Sequence, residues 1–376
     1  MRKHTFTALL LTLLLVSYAA AASKRYWVYI GTYTGPQSKG IYAFQFDTDS
    51  GKLEPVALVG ELPRPSFLAI HPNRKYMYAV SELGTSTVSA FEIKPKTGML
   101  TLLNTVPAKG SSACHLVVDR TGKSLTVANY GNGSVAVFPI AADGRLGEST
   151  AQIQHAGPAG PNPRQRGPHA HAVVLSPDNR FVFVPDLGLD KVFSYRLDPA
   201  KAALTANDPP SAQVPPGSGP RHFAFHPSGN FAYSVNEMKS SVTAFSYDRS
   251  KGALTALQTI ANLPDDYTGV DNSAEIDVDS AGKFLYASNR GHDSITIYQI
   301  DPQGKGTLTT VDRVPTQGKT PRGFKIDPTG RYLIAGNQDS NSVVIFKRDA
   351  STGRLTATGQ TVSVGSPVCI EFLAVE

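Results

Sequence analysis

HFAFHPSGNFAYSVNE, residues 222–237, reads as a short apolar run, a turn built on Pro, Ser, Gly and Asn, and a second apolar run ending on a polar pair. Such runs form half-buried strands, and the central cluster closes a tight hairpin. The unit recurs as FLAIHPNRKYMYAVSE (67–82), HLVVDRTGKSLTVANY (115–130) and AVVLSPDNRFVFVPDL (172–187). It returns in EIDVDSAGKFLYASNR (275–290) and GFKIDPTGRYLIAGNQ (323–338). The six copies end 48, 57, 50, 53 and 48 residues apart, the period of a repeat architecture.

A second signal follows each copy: a strand such as SVTAFSYD (241–248), then a turn leading to a leucine. Those leucines are Leu53, Leu100, Leu146, Leu204, Leu254, Leu308 and Leu355, seven late turns against six early ones. The missing early hairpin is supplied if PVCIEFLAVE (367–376) is the first strand of a blade whose second strand is RYWVYIGTY (25–33). The sequence therefore predicts an all-β, seven-bladed β-propeller with four antiparallel strands per blade. The ring is closed by the N-terminal strand joining the C-terminal strand, which removes the open edge. A solenoid would not need complementary termini.

Composition agrees. Only 18% of the 376 residues are charged, while 33 Gly and 27 Pro suit many short strands and tight turns. Two cysteines exclude a disulfide scaffold. Cys114 and Cys369, on first strands two blades apart, are expected to be free thiols. Residues 1–22, MRKHTFTALLLTLLLVSYAAAA, combine Arg2 and Lys3, an apolar run and small residues, the pattern of a secretory signal peptide. The expected organisation is a signal peptide over 1–22 and a propeller over 23–376, exported to the periplasm or secreted, with no membrane association after cleavage. No Cys follows the apolar run, which argues against a lipoprotein. Cleavage would lower the net charge from +6 to about +4, too weak and dispersed for a nucleic-acid surface. No Gly-rich strand–helix loop is present, so no nucleotide cofactor is expected. Closed propellers commonly work alone, so a monomer is expected.

In a propeller the start of each first strand and the end of each second strand lie at the same end of the central channel. In this sequence they are 16 residues apart. One ring is Ser66, Cys114, His171, Arg221, Ala274 and Arg322; the other is Glu82, Tyr130, Leu187, Glu237, Arg290 and Gln338. The long connections HAGPAGPNPRQRGPHA, NDPPSAQVPPGSGP and LPDDYTGVDNSA enter at this end, where loops on a rigid scaffold carry function. His171, Arg221, Glu237 and Arg290 are the candidate catalytic residues. His169, Arg322, Glu82, Glu275, Asn289 and Gln338 are candidates for holding a substrate. Converging His, Arg and Glu suit a small anionic or polyhydroxylated ligand, although an Arg221–Glu237 pair could equally lock one blade.

The chain resembles the seven-bladed lactonase family, which includes a bacterial 6-phosphogluconolactonase and the fungal carboxymuconate lactonizing enzyme. The resemblance runs from YIGTYT and GIYAF through HPNRKYMYAVSE to SNRGHDSITIY and PRGFKIDPTGRYLIAGNQ. It implies lactone hydrolysis or, as in the fungal branch, cycloisomerisation. It also implies a histidine, a glutamate and two arginines at the channel, here His171 in PHAHAVV, Arg221 in GPRHFAFHP, Glu237 in YSVNE and Arg290 in ASNR.

Lactone opening needs a base to activate water and donors to receive the oxyanion. Glu237 is preferred as base, with His171 close behind because neighbouring arginines would weaken a carboxylate; the arginines are the donors. Another group of lactonase propellers holds a divalent cation through carboxylates and Asn. The arginines at this mouth argue against a metal, and His169 with His171 make no convincing zinc site. A non-enzymatic binding or scaffold propeller is the reading from another class. His71 and His226, in HP turns, are expected to be turn residues; the column Asn129, Asn236, Asn289 and Asn337 is expected to bond adjoining loops. His292 and Asp293, after Arg290, are expected near the site.

Overall fold

The computed structural model describes residues 25–270 and 272–375; the segment read as a signal peptide lies outside them. The described chain forms seven four-stranded antiparallel sheets and no helix. Blade 1 is the closure sheet, ordered from the channel outward as Pro367–Ala374, Arg25–Thr32, Gly40–Asp47 and Lys52–Glu61. Tyr29 lies opposite Glu371 and Trp27 opposite Leu373, so the two ends of the chain share one ladder. Blades 2 to 7 follow in chain order, their first strands beginning at Leu68, Ala113, Val174, Pro220, Asn272 and Pro321.

Burial explains the two kinds of strand in the sequence. Second strands such as Ser124–Asn129 and Tyr332–Asn337 are buried throughout, hence their nearly continuous apolar runs. Outer strands such as Leu355–Ser363 are mostly exposed, with partly buried positions recurring between exposed ones.

The recurring turns are the joints between blades. The aromatic residue that starts a second strand packs against the glycine in the late turn of the next blade. The pairs are Trp27–Gly98, Tyr76–Gly144, Phe181–Gly252, Phe231–Gly306, Phe284–Gly353 and, across the closure, Tyr332–Gly51. At Gly252 φ is +66°, and a Cβ there would lie 2.4 Å from the Phe181 ring. The seventh joint breaks the pattern on both sides at once. Blade 3 has Ser124 where the others have a ring, and blade 4 has Ala202, at φ 48°, where the others have glycine. Without the ring, a side chain fits. His71 and His226 are turn residues that also join blades, since their Nε2 atoms lie 2.9 Å from the carbonyls of Gly122 and Gly282 in the next blade.

One irregularity positions everything in the channel. The pairing of first and second strands slips between Ala113 and His115, Pro220 and His222, Ser273 and Ile276, and Pro321 and Gly323. A bulge breaks the strict up-down alternation of side chains. Consecutive residues therefore reach opposite ends of the channel: Cys114 lines the mouth and His115 the far chamber.

Candidate active site

The mouth holds a cavity of about 230 Å³ lined by Tyr33, Glu82, Cys114, Tyr130, Arg164, His171, Glu237, Arg290 and Arg322. Glu237, at the end of its second strand, is its electrostatic centre. Its Oε2 accepts from Arg221 Nε at 3.0 Å and faces Arg290 at 2.8 Å, while Oε1 bonds Arg164. Burial alone would raise this carboxyl's pKa. Arg290, Arg221 and Arg164 outweigh burial and hold it at about 2.

Arg221 is buried beneath the cavity, where it also donates to the Ala274 carbonyl at 2.7 Å. Arg290 is steadied by the carbonyls of Asn272 and Ser273, at 3.0 and 3.3 Å. Burial draws its pKa down to about 10 against the pull of Glu237, so it stays cationic at neutral pH. Arg164 reaches in from the Pro/Gly-rich loop before blade 4 and bridges to Asn272 Oδ1 at 2.8 Å.

His171 sits across the cavity. Its backbone is tied to the Pro185 carbonyl, and the Cys114 thiol lies 3.8 Å from Nδ1. Nε2 makes no hydrogen bond to another described residue. Burial, with Arg221, His222 and Arg322 nearby, holds the imidazole well below its ordinary pKa, so it is neutral at pH 7. Tyr130 meets it edge-on at 5.4 Å. His169 does not line the cavity; it stacks on Tyr130 at 4.5 Å and bonds the Tyr130 carbonyl, bracing that wall.

The remaining wall is Tyr33, whose hydroxyl donates to Glu82 at 2.8 Å and whose ring lies under Arg64 and Arg322, at 4.1 and 5.1 Å. Among the described residues Arg322 makes no hydrogen bond and no ion pair. Its guanidinium is the one mouth cation whose donors are uncommitted. Four arginines face two carboxylates here, so the mouth is cationic.

Several expected residues lie elsewhere. Glu275 follows Ala274 in sequence, but the slip between Ser273 and Ile276 sends it to the far chamber, where it pairs with His222. Asn289 is fully buried and bonds Ser273, Ser294 and Thr296, which lie on neighbouring strands of its own blade rather than in the adjoining loops expected for its column. Gln338 bonds Asp339 and lies off the cavity. His292 bonds Ser294, and Asp293 caps Thr320. Conversely, Arg164 and Tyr33 line the mouth although neither was among the expected residues. Tyr33 ends RYWVYIGTY and so takes in blade 1 the place that Glu82 and Tyr130 take in blades 2 and 3, which the two columns, read over six blades, left out. Arg164 belongs to a connection rather than to the repeat, which is why the repeat columns pass over it.

The family model for the seven-bladed β-propeller lactonases matches residues 27–372. The chain is 38% identical over 350 residues to a Bacillus subtilis 6-phosphogluconolactonase, covering 93% of this chain and 99% of that one. A Formosa agariphila 6-phosphogluconolactonase is 34% identical over 353 residues, covering 92% and 99%. Among solved structures, the periplasmic gluconolactonase of Pseudomonas aeruginosa superimposes with a TM-score of 0.88 at 34% identity, covering 94% of this chain and all of that one.

Proposed function

Because the chain belongs to the seven-bladed β-propeller lactonase family, we propose that it is an exported lactone hydrolase working at the cationic mouth of the channel. The observation that carries this reading is a neutral, buried imidazole facing arginine donors across one small cavity. His171 Nε2 takes a proton from water as the water oxygen bonds the lactone carbonyl carbon. Charge on the carbonyl oxygen is received by Arg290, a donor of the kind worth about 3 kcal/mol in the transition state. The ring C–O bond then breaks, the proton passes from His171 to the departing ring oxygen, and an open hydroxy acid leaves.

Glu237, the base preferred from sequence, takes a different role here. A carboxylate with a pKa of about 2 is a poor proton acceptor at neutral pH, but it holds Arg221, Arg290 and Arg164 in place. Uncommitted Arg322 and the net positive mouth favour a lactone that carries phosphate or carboxylate, since guanidinium binds both through paired donors. No step calls for a metal, and the mouth carboxylates are each engaged, Glu82 by Tyr33 and Glu237 by arginines. The leader over residues 1–22 and the relative named periplasmic support export, with 23–376 as the mature propeller.

Proton release from 6-phosphogluconolactone and gluconolactone, corrected for spontaneous opening and run with and without chelator, tests the reading. A catalysed rate that survives chelator and collapses in Arg290→Ala supports it; no catalysed rate on either lactone overturns it. Mass spectrometry of the exported protein should find its N-terminus near Ala21 to Ser23.

A further inference from the structure

Blade 4 holds His171 differently from the way other blades hold their mouth residues. Its first strand is only Val174–Leu175, whereas those of blades 3, 5, 6 and 7 run six or seven residues and begin at the mouth. Pro185 stands opposite, and proline has no N–H to return to the neighbouring strand. Val80, at the same place in blade 2, donates to the Phe67 carbonyl at 3.2 Å. His171 therefore lies outside the ladder. Its N–H bonds the Pro185 carbonyl, and the segment before it makes a single bridge, Ala170 with Asp186.

A buried pair takes over the work of the ladder. Asp186 Oδ2 lies 2.6 Å from His155 Nδ1, and both side chains are fully buried. Asp186 Oδ1 accepts from the amides of His169, Gly188 and Leu189 at 2.8, 3.0 and 3.1 Å. Those bonds tie the segment leading to His171 to the end of the second strand. His155 packs on Phe193, ring centres 4.1 Å apart, and its Nε2 has no partner among the described residues. Asp186 is thus the one group that fixes the ring through a hydrogen bond.

The repeat shows both halves of this pair changing together. Asp186 stands in the column of Asn129, Asn236, Asn289 and Asn337. The amides of Asn129 and Asn337 donate to the carbonyls of Ala108 and Thr316 at 3.2 and 3.1 Å. Ala108 and Thr316 each follow the outer strand of the preceding blade, and His155 has that same place before blade 4. A carboxylate cannot donate to a carbonyl, so here the preceding blade offers a side-chain nitrogen instead.

We infer that Asp186, backed by His155, is the positioning pair for His171, an inference that rests on His171 being the base of lactone hydrolysis. Neither residue lines the mouth cavity. They act by holding residues 169–171 where the imidazole faces the arginines. A displacement of about 1 Å in a reacting group is enough to cost about a hundredfold in rate. The Cys114 thiol donates to the His171 carbonyl at 3.2 Å, so its accessibility reports where the segment sits.

The test combines turnover of 6-phosphogluconolactone with alkylation by iodoacetamide, followed at each cysteine by peptide mass spectrometry. Cys369, buried in blade 1, is the internal control. Asp186→Ala should lower kcat about a hundredfold with KM within about twofold of the parent. Alkylation of Cys114 should rise about tenfold in this variant while Cys369 is unchanged. Asp186→Asn keeps an acceptor for the three amides and should stay within about tenfold of the parent rate. If Asp186→Ala fails to fold, His155→Ala, which places the residue of blade 2 here, should lower kcat about tenfold. The inference is overturned by a kcat within about twofold of the parent in the alanine variant that folds, or by alkylation rising equally at both cysteines, the mark of general destabilisation. His171→Gln separates the two levels. Turnover that survives it overturns the reading of His171 as base and this inference with it; turnover that collapses there but not in Asp186→Ala overturns the inference alone.

Discussion

Glu237 and Glu275 are both buried glutamates in one channel, and they are driven in opposite directions. Glu237, at the mouth, is held near 2; Glu275, in the far chamber, is raised to about 7. Burial pushes both upward. The difference is in what stands beside them: three arginines bond Glu237, whereas Glu275 has a neutral histidine and feels Arg221 from a distance. The same seven strands therefore carry two environments. One gathers arginines around a carboxylate, the other gathers carboxyls and histidines with a single lysine. The bulged first strands make this possible by sending neighbouring residues to opposite ends.

The largest effect expected from breaking this contrast is at the mouth. His171→Gln should lower lactone turnover about a thousandfold, by removing the base proposed to act beside the arginines, with little change in melting temperature. Arg322→Ala should act on binding instead. KM for a phosphorylated lactone should rise at least about tenfold while kcat holds, and an uncharged lactone should be nearly indifferent.

The contrast also has a pH signature. Glu275 has a folded pKa above its unfolded value, so its contribution to stability is present below about pH 4.5 and is lost as pH rises toward 7. Glu237 has the reverse sign, with stability present above about pH 4.5 and lost as pH falls toward 2. The buried neutral histidines act against Glu275 below their unfolded pKa, so the comparison must be between variants. Glu275→Gln should gain stability relative to the parent by about 2 kcal/mol between pH 4.5 and 7, measured by denaturant unfolding at each pH. A difference that does not change with pH would show that Glu275 does not titrate there. The smallest effect concerns Cys114. Burial pushes its thiol well up, so iodoacetamide at pH 8 should leave turnover within about twofold of the untreated protein.

Much of the molecule is legible in the chain alone. The joint between blades 3 and 4 is instructive: Ser124 and Ala202 look like lapses in two separate motifs, yet they are the two halves of one contact. Once the ring is gone, the glycine is not needed. His171, Arg221, Glu237 and Arg290 gather at one end of the channel because each occupies a fixed place in the repeat. Glu275 stands outside both columns and was expected at the mouth only as the neighbour of Ala274; the slip between Ser273 and Ile276 turns it to the far chamber. Arg164 escapes because a connecting segment has no period to place it, and Tyr33 because its blade is stitched from the two ends of the chain and was left out of the columns.

By itself the sequence determined the ring of seven blades, its stitched closure and the end of the channel where polar residues gather. Each of these follows from local pattern: strand alternation, turn chemistry, and repetition at a steady spacing. The protonation of the two glutamates, the uncommitted Arg322 and the different surroundings of the two chambers were decided only by tertiary structure. Those properties depend on burial and on partners 16 to more than 100 residues away, such as Arg221 and Asn272. Electrostatics in a channel is set by distance in space, which strand register and bulges control and which spacing along the chain does not reveal.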